Sequence, residues 1–280
     1  MYPNPLFTFL GQGVTLYGIC IGVGILVCLL CYFLFTKRLG MSNDVQDFSF
    51  YIAIIAIVLG FGAAALYQSI YTWIAEGVFK YNGITAMGGF VGGAAVFIFA
   101  YFFIGKFMFT GNNKGLPKKE FPIILNTAPS CITVAHAFGR IGCLMAGCCY
   151  GMEASTGFVI YNHGAYRVPV QLYEAIFLFI LFAILTILLL KYRCNITMPI
   201  YLISYGVWRF IIEIFRGDVT ERTFFMGLFP SQWQSIIFIA GGIFLLVFYA
   251  VKKIPYFLPK QELKAAEPVE NSVDDKPEEK

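Results

Sequence analysis

The chain has 280 residues, of which 59% are hydrophobic and only 13% are charged, and its mean hydropathy is +0.73. This composition excludes an ordinary soluble domain and predicts a polytopic membrane protein whose apolar surface faces lipid. The net charge of +4 is small, and no basic cluster in the sequence is typical of nucleic-acid binding. The first residues lack a positively charged segment, so a cleaved signal peptide is not expected.

The chain contains seven apolar runs of about 20 residues, each long enough to cross a bilayer. The predicted spans are 13–36, 48–68, 84–106, 121–147, 170–192, 198–216 and 231–251. The sequence therefore predicts an all-α fold, with a seven-helix membrane domain over 1–258. The remaining segment, 259–280, is polar, acidic and contains proline, so we expect a disordered cytoplasmic tail.

Lysine and arginine are distributed unequally between the predicted loops. If the N-terminus is outside, the inner loops contain Lys37, Arg38, Lys114, Lys118, Lys119, Lys191, Arg193, Lys252 and Lys253. The outer loops then contain Lys80, Arg167 and Arg222, with Arg216 at a helix mouth. Because cytoplasmic loops are enriched in these residues, the pattern predicts an outside N-terminus and a cytoplasmic C-terminus.

The fourth span contains Arg140, whose guanidinium stays protonated. Such a charge costs roughly 3 kcal/mol or more at bilayer depth, so it requires a partner or a water-filled cavity. In the sixth span, Arg209, Glu213 and Arg216 are spaced four and three residues apart and share one helix face. In the predicted orientation these residues and the start of the fifth span, which contains Glu174, lie toward the outer surface. We therefore expect them to converge on the extracytoplasmic side.

The predicted cluster suits an anionic ligand. A glutamate between two arginines can hold them in a low dielectric. The remaining donors of Arg140, Arg209 and Arg216 match the oxygens of a phosphate. Gly139 and Gly142 either permit close helix approach or expose backbone N–H groups to an anion. The sequence thus predicts a cavity for a phospholipid headgroup, open to the outer leaflet.

Four of the eight cysteines, Cys131, Cys143, Cys148 and Cys149, are expected near Arg140. Three alternatives stay open for the adjacent pair. Cys148 and Cys149 could form a disulfide in an oxidising compartment, remain structural thiols, or be reactive, either as nucleophiles or together with His136 as metal ligands. The one pair with C-x-x-C spacing, Cys28 and Cys31, lies in the first apolar span, where the cysteines are interpreted as small buried hydrophobes, so the sequence favours neither a metal nor a cofactor.

Four motifs occur in an order that is typical of one family. They are Gly139-Arg-Ile-Gly142 with Gly147 and Gly151, Arg167 with Pro169 and Gln171-Leu-Tyr-Glu174, the segment from Tyr205 to Arg216, and Ser231-Gln-Trp-Gln-Ser235. From about residue 15 to about residue 250 the chain resembles the prolipoprotein diacylglyceryl transferase family. The resemblance implies seven spans in a bacterial inner membrane and the transfer of diacylglycerol from phosphatidylglycerol to a cysteine thiol of a lipoprotein precursor.

The resemblance also implies roles for individual residues. Arg140 and Arg209 would stabilise the departing glycerol phosphate while a thiolate attacks the glyceryl carbon. Glu213 or His136 would accept the thiol proton. The implied substrate-binding residues are Gly88, Gly89, Gly139, Gly142, Tyr173, Glu174, Tyr205 and Arg216.

The chain departs from the family pattern at several positions. Met87 stands where the family has a histidine before a Gly-Gly pair, and 58–64 lacks an arginine that is common in the second helix. Cys143, Ala146 and Cys148 replace two asparagines and a glutamate. The alternatives to the standard reaction are transfer to another acceptor, including the chain's own cysteines, and a non-catalytic lipid-binding or thiol-redox role.

Overall fold

The computed structural model describes residues 4–9, 12–81, 83, 85–217 and 226–257. Within these ranges the chain forms seven α-helices and two small antiparallel hairpins. The helices are α1 Leu16–Arg38, α2 Asn43–Glu76, α3 Ala86–Met108, α4 Leu116–Ala146, α5 Val170–Leu190, α6 Thr197–Ile214 and α7 Pro230–Val251. The predicted acidic tail and Arg222 lie outside the described residues.

Six of the helices in the described ranges, all except α6, are long and apolar enough to cross a membrane. Helix α6 has 18 residues and contains Arg209 and Glu213. The prediction of a mostly helical, multi-pass membrane protein is therefore confirmed. That α6 makes a seventh crossing stays a prediction.

Two helix boundaries differ from the predicted spans because polar residues can extend or end a helix. Helix α2 runs well beyond 48–68 at both ends and stops at Gly77, whose φ of 74° is the left-handed conformation typical of a helix C-terminus. Helix α6 ends at Ile214. The prediction that Arg216 belongs to this helix is wrong, since Arg216 lies just beyond it.

The two hairpins correct the all-α description. Strands β1 (Phe7–Phe9) and β2 (Gln12–Val14) pair before α1, and strands β3 (Ile160–Asn162) and β4 (Ala165–Arg167) pair between α4 and α5. The second hairpin turns through His163 and Gly164, with φ of 49° and 77°. Positive φ at both turn residues gives the twist that a two-residue hairpin requires.

Helix α4 packs against α1 and α5, while α2 packs against α3 and α6 against α7. Small residues permit the close approaches: a Cβ atom at Gly24 of α1 would lie 3.0 Å from the Ala135 carbonyl oxygen of α4. The central position of α4 places its polar residues between neighbouring helices, which shield them from lipid.

A buried polar contact fixes the height of α4 relative to α6. The Thr197 hydroxyl at the start of α6 donates to the Asn126 carbonyl oxygen at 2.7 Å. From this contact Arg140 lies about 21 Å further along α4, and Arg209 about 18 Å further along α6. The two arginines therefore reach a similar depth.

Candidate active site

Five charged side chains from α4, α5 and the end of α6 form an alternating row, here called the charged row. Arg140 Nε and Arg209 Nη1 lie 3.0 Å and 3.3 Å from the same atom, Glu174 Oε2. Arg209 Nη2 lies 2.9 Å from Glu213 Oε2, and Arg216 Nη1 lies 3.6 Å from that oxygen. The predicted convergence of these helices is thus present in the structure.

The charged row is almost completely shielded from solvent. Glu174 is 2% exposed, Glu213 1% and Arg209 8%. Buried charges of this kind persist only when each has a partner of opposite sign, which the alternation provides. Three guanidiniums and two carboxylates leave one excess positive charge, and this excess suits an anion.

Two aromatic side chains complete the surroundings of Glu174. The Tyr205 hydroxyl donates to Glu174 Oε1 at 3.2 Å. His136 Nε2 lies 3.9 Å from the same oxygen, which is too long for a hydrogen bond. The His136 ring lies between the rings of Phe90 and Tyr205, with centroids 5.7 Å and 5.2 Å away. His136 therefore packs tightly beside the row.

The loop after α4 is joined to the end of α6. Gly151 pairs with Arg216 in an isolated antiparallel bridge, and the Met152 N–H donates to the Phe215 carbonyl oxygen at 2.9 Å. A Cβ atom at Gly151 would collide with the Val168 carbonyl oxygen, so only glycine fits there. The bridge places this loop beside Arg216, the arginine at one end of the charged row.

Arg167, which belongs to one of the four motifs, holds the loop rather than the charged row. Its Nη2 lies 2.9 Å from Glu153 Oε1, and its Nε donates to the Asn162 carbonyl oxygen at 3.2 Å. Its guanidinium also lies 4.6 Å from the centre of the Tyr150 ring. These contacts fasten the hairpin to the loop that follows α4.

Sequence reasoning missed two hairpin residues that hold the end of α4. The Asn162 amide donates to the Gly147 carbonyl oxygen at 2.9 Å, and His163 Nε2 lies 3.2 Å from the same oxygen. The signal for them was the Asn-His-Gly run, whose composition is typical of a tight turn between strands.

Three thiols meet beside the charged row. The Sγ atoms of Cys143, Cys148 and Cys149 lie within 4.8 Å of one another, and Cys148 is exposed. All three cysteines are free thiols. Hydrogen bonds with Cys143 and Cys148 lower the pKa of the Cys149 thiol, and the charges of Arg216 and Arg140 lower it further.

The predicted fourth member, Cys131, does not join this group. It is buried in a separate hydrophobic cluster with residues such as Tyr32 and Phe35. The prediction that it lies near Arg140 is wrong, because Cys131 lies more than two helical turns before that residue on α4.

The predicted glycines have different surroundings. Gly142 packs on α1, where an added Cβ atom would lie 3.1 Å from Tyr17 Cδ2. Gly88 and Gly89 lie where α3 packs on α2, and their lack of a side chain lets these two helices approach closely. Gly139 faces open space, with no atom within 4 Å of an added Cβ.

Tyr173, predicted to bind substrate, is half-buried. Among the described residues no hydrogen bond or ring contact of its side chain connects it to the charged row. Its role in substrate binding stays a prediction.

Comparison with known proteins assigns the chain to a family. The family model for prolipoprotein diacylglyceryl transferase matches residues 5–248. The phosphatidylglycerol–prolipoprotein diacylglyceryl transferases of Streptococcus pneumoniae strains Spain 23F-1 and Taiwan19F-14 are each 30% identical over 266 residues, covering 88% of this chain and 94% of theirs. The enzyme of strain Hungary19A-6 is 29% identical with the same coverage. The chain therefore belongs to the prolipoprotein diacylglyceryl transferase family and is a multi-pass membrane transferase.

Proposed function

We propose that this chain transfers the diacylglyceryl group of phosphatidylglycerol to a cysteine thiol of a prolipoprotein. The names of its relatives state these substrates. The observation that carries the proposal is the pair Arg140 and Arg209, both within 3.3 Å of Glu174 Oε2 in a row with excess positive charge. Such a pair is suited to the phosphate of a lipid headgroup.

The arginines would act on the leaving group. The acceptor thiolate attacks the glyceryl carbon, a carbon–sulfur bond forms, and the carbon–oxygen bond to phosphate breaks. The electron pair of that bond leaves on glycerol phosphate, whose negative charge grows in the transition state. Arg140 and Arg209 stabilise this charge in a water-poor site, while Glu174 and Glu213 position the guanidiniums.

Neither residue implied as the proton acceptor has favourable surroundings for that task. Glu213 is paired with Arg209 and Arg216. His136 packs between the rings of Phe90 and Tyr205, and its Nε2 lies 3.9 Å from Glu174 Oε1, beyond hydrogen-bond distance. We infer that both act as positioning residues. The thiol proton then requires another acceptor.

We propose further that the charged row faces the extracytoplasmic side, with the N-terminus outside and α6 crossing the membrane. The predicted excess of lysine and arginine in the inner loops supports this orientation. Cysteines introduced as Tyr161→Cys in β3 and as Lys114→Cys before α4 test it with a membrane-impermeant maleimide. Only Tyr161→Cys should increase the labelling of intact cells above that of the unmodified chain. Lys114→Cys should do so only after permeabilisation, and the reverse pattern contradicts the orientation.

The transfer itself is tested with the full chain in vesicles of phosphatidylglycerol and a prolipoprotein peptide that contains one cysteine. We expect the peptide to gain the mass of a diacylglyceryl group while glycerol phosphate appears in equal amount. A serine peptide and vesicles of phosphatidylcholine alone are the controls. Lipid recovered on the exposed Cys148 of the chain, with none on the peptide, would favour the chain's own thiol as acceptor. Absence of both products contradicts the proposal.

A further inference from the structure

The thiol cluster, Cys143, Cys148 and Cys149, has the dimensions of a metal site. Its Sγ atoms lie within 4.8 Å of one another. Sulfur ligands of a tetrahedral zinc ion lie about 3.8 Å apart, since each zinc–sulfur bond is about 2.3 Å long. Side-chain rotations that move the sulfurs by about 1 Å would therefore bring all three to bonding distance of one ion.

The backbone that carries the thiol cluster is held by side chains from outside it. The Gln171 amide at the start of α5 donates to the Cys148 carbonyl oxygen at 2.6 Å. The Asn162 amide donates to the carbonyl oxygen of Gly147, the residue that ends α4. These contacts fix the turn between Cys143 and Cys148, so little backbone ordering would be needed on binding.

The charges around the thiol cluster suit three thiolates and a divalent cation. Zinc with three thiolates carries one net negative charge, and two arginines lie close by along the chain and across a bridge: Arg140 is three residues before Cys143 on α4, and the backbone of Arg216 pairs with Gly151, two residues after Cys149. Soft sulfur ligands select zinc and copper(I) over magnesium and calcium. A disulfide would use two of the sulfurs and leave the third without a role, whereas a metal ion uses all three.

The thiol cluster also leaves one coordination position open. Among the described residues no fourth histidine, cysteine or carboxylate joins it. Zinc sites with three protein ligands keep the fourth position for water or substrate. Cys148 is exposed, so this position can be reached from outside the bundle.

We propose that Cys143, Cys148 and Cys149 bind one zinc ion whose open position receives the acceptor thiol. This proposal rests on the proposed transfer reaction and supplies its missing proton step. The acceptor thiol replaces a zinc-bound water and releases its proton to solvent, because a thiol that coordinates zinc is deprotonated. The resulting thiolate attacks the glyceryl carbon, and glycerol phosphate leaves with the bonding electrons toward Arg140 and Arg209.

Metal content is the first test. The full chain is purified in detergent under reducing conditions with zinc, dialysed, and its metal measured by mass spectrometry. We expect about one zinc per chain, and near-complete loss in Cys148→Ser. Cys148→His should retain the metal because imidazole also binds zinc. The matched control is Cys31→Ala in α1, which should retain it too. No zinc in the unmodified chain, or unchanged content in Cys148→Ser, overturns the proposal.

The role of the open position is tested with cobalt(II) in place of zinc. A sulfur-to-cobalt absorption band should appear in the unmodified chain and be absent from Cys148→Ser. Adding the cysteine peptide should change the cobalt spectrum, and the serine peptide should not. An unchanged spectrum with the cysteine peptide overturns the binding of the acceptor.

Transfer assays separate this proposal from the proposed function. Transfer that continues after complete removal of the metal leaves the proposed function intact and overturns the role of zinc in activating the acceptor thiol. A cobalt spectrum that responds to the cysteine peptide, without any transfer, supports the site and contradicts the proposed function.

Discussion

Replacement of Arg140 by alanine is expected to lower the rate of diacylglyceryl transfer about 100- to 1,000-fold, which is the usual effect of removing one donor that stabilises a developing charge. Of the two arginines near Glu174, Arg140 is the better one to replace, since Arg209 still neutralises the Glu174 carboxylate in the Arg140→Ala variant. The fold should therefore persist. The measurement is the initial rate of peptide lipidation in vesicles of phosphatidylglycerol.

Two control variants show whether the effect comes from the position and shape of this side chain. Arg140→Lys keeps the charge but lacks the planar fork of donors, so its rate should lie between those of the alanine variant and the unmodified chain. Arg38→Ala changes an arginine in the last turn of α1, far from the charged row, and should leave the rate unchanged. A rate for Arg140→Ala within a factor of about three of the unmodified chain would remove the electrostatic role assigned to it.

Replacement of Glu174 by alanine is expected to destabilise the protein by about 3–5 kcal/mol, because it leaves buried charges without their partner. Glu174 is 2% exposed and lies within 3.3 Å of guanidinium nitrogens of both Arg140 and Arg209. The measurement is thermal unfolding of the purified chain in detergent. Glu174→Gln keeps the shape and one acceptor oxygen, so it should lose less stability than the alanine variant.

The control for Glu174 is Glu153, whose carboxylate lies 2.9 Å from Arg167 and whose side chain is 66% exposed. Surface pairs of this kind contribute at most about 1 kcal/mol, so Glu153→Ala should unfold at nearly the same temperature as the unmodified chain. Equal losses for Glu174→Ala and Glu153→Ala would mean that the charged row is not what holds α4, α5 and α6 together.

The long helices could be predicted from the sequence because apolar runs of bilayer length have few other stable conformations in lipid. Spacing on a single helix also places Arg209 four residues before Glu213, on the same face. The approximate depth of Arg140 followed from counting residues along its span. These inferences need only local geometry and the thickness of the membrane.

The sharing of one Glu174 oxygen by Arg140 and Arg209 could not be predicted in the same way. It depends on the rotation of three helices about their axes, which their packing contacts determine. Residue spacing allowed Arg140 to pair with either Glu174 or Glu213. The structure has it beside Glu174, while Glu213 lies beside Arg209 and Arg216.

Only part of the thiol cluster could be predicted from the sequence. Standard zinc patterns rely on two cysteines separated by two residues, and the one such pair, Cys28 and Cys31, lies in α1 away from this cluster. Its cluster forms because α4 ends at Gly147, whose φ of 77° reverses the chain and returns Cys148 and Cys149 toward Cys143. A single glycine in the left-handed conformation thus determines a contact that residue spacing does not reveal.

The bridge between Gly151 and Arg216 has a mechanical consequence. Arg216 contributes its backbone to this bridge and its side chain to the contact with Glu213, so one residue belongs to both neighbourhoods. A displacement of Arg216 would therefore affect both its contact with Glu213 and the segment that follows Cys149. The charged row and the turn that carries the thiol cluster are therefore joined through a single residue.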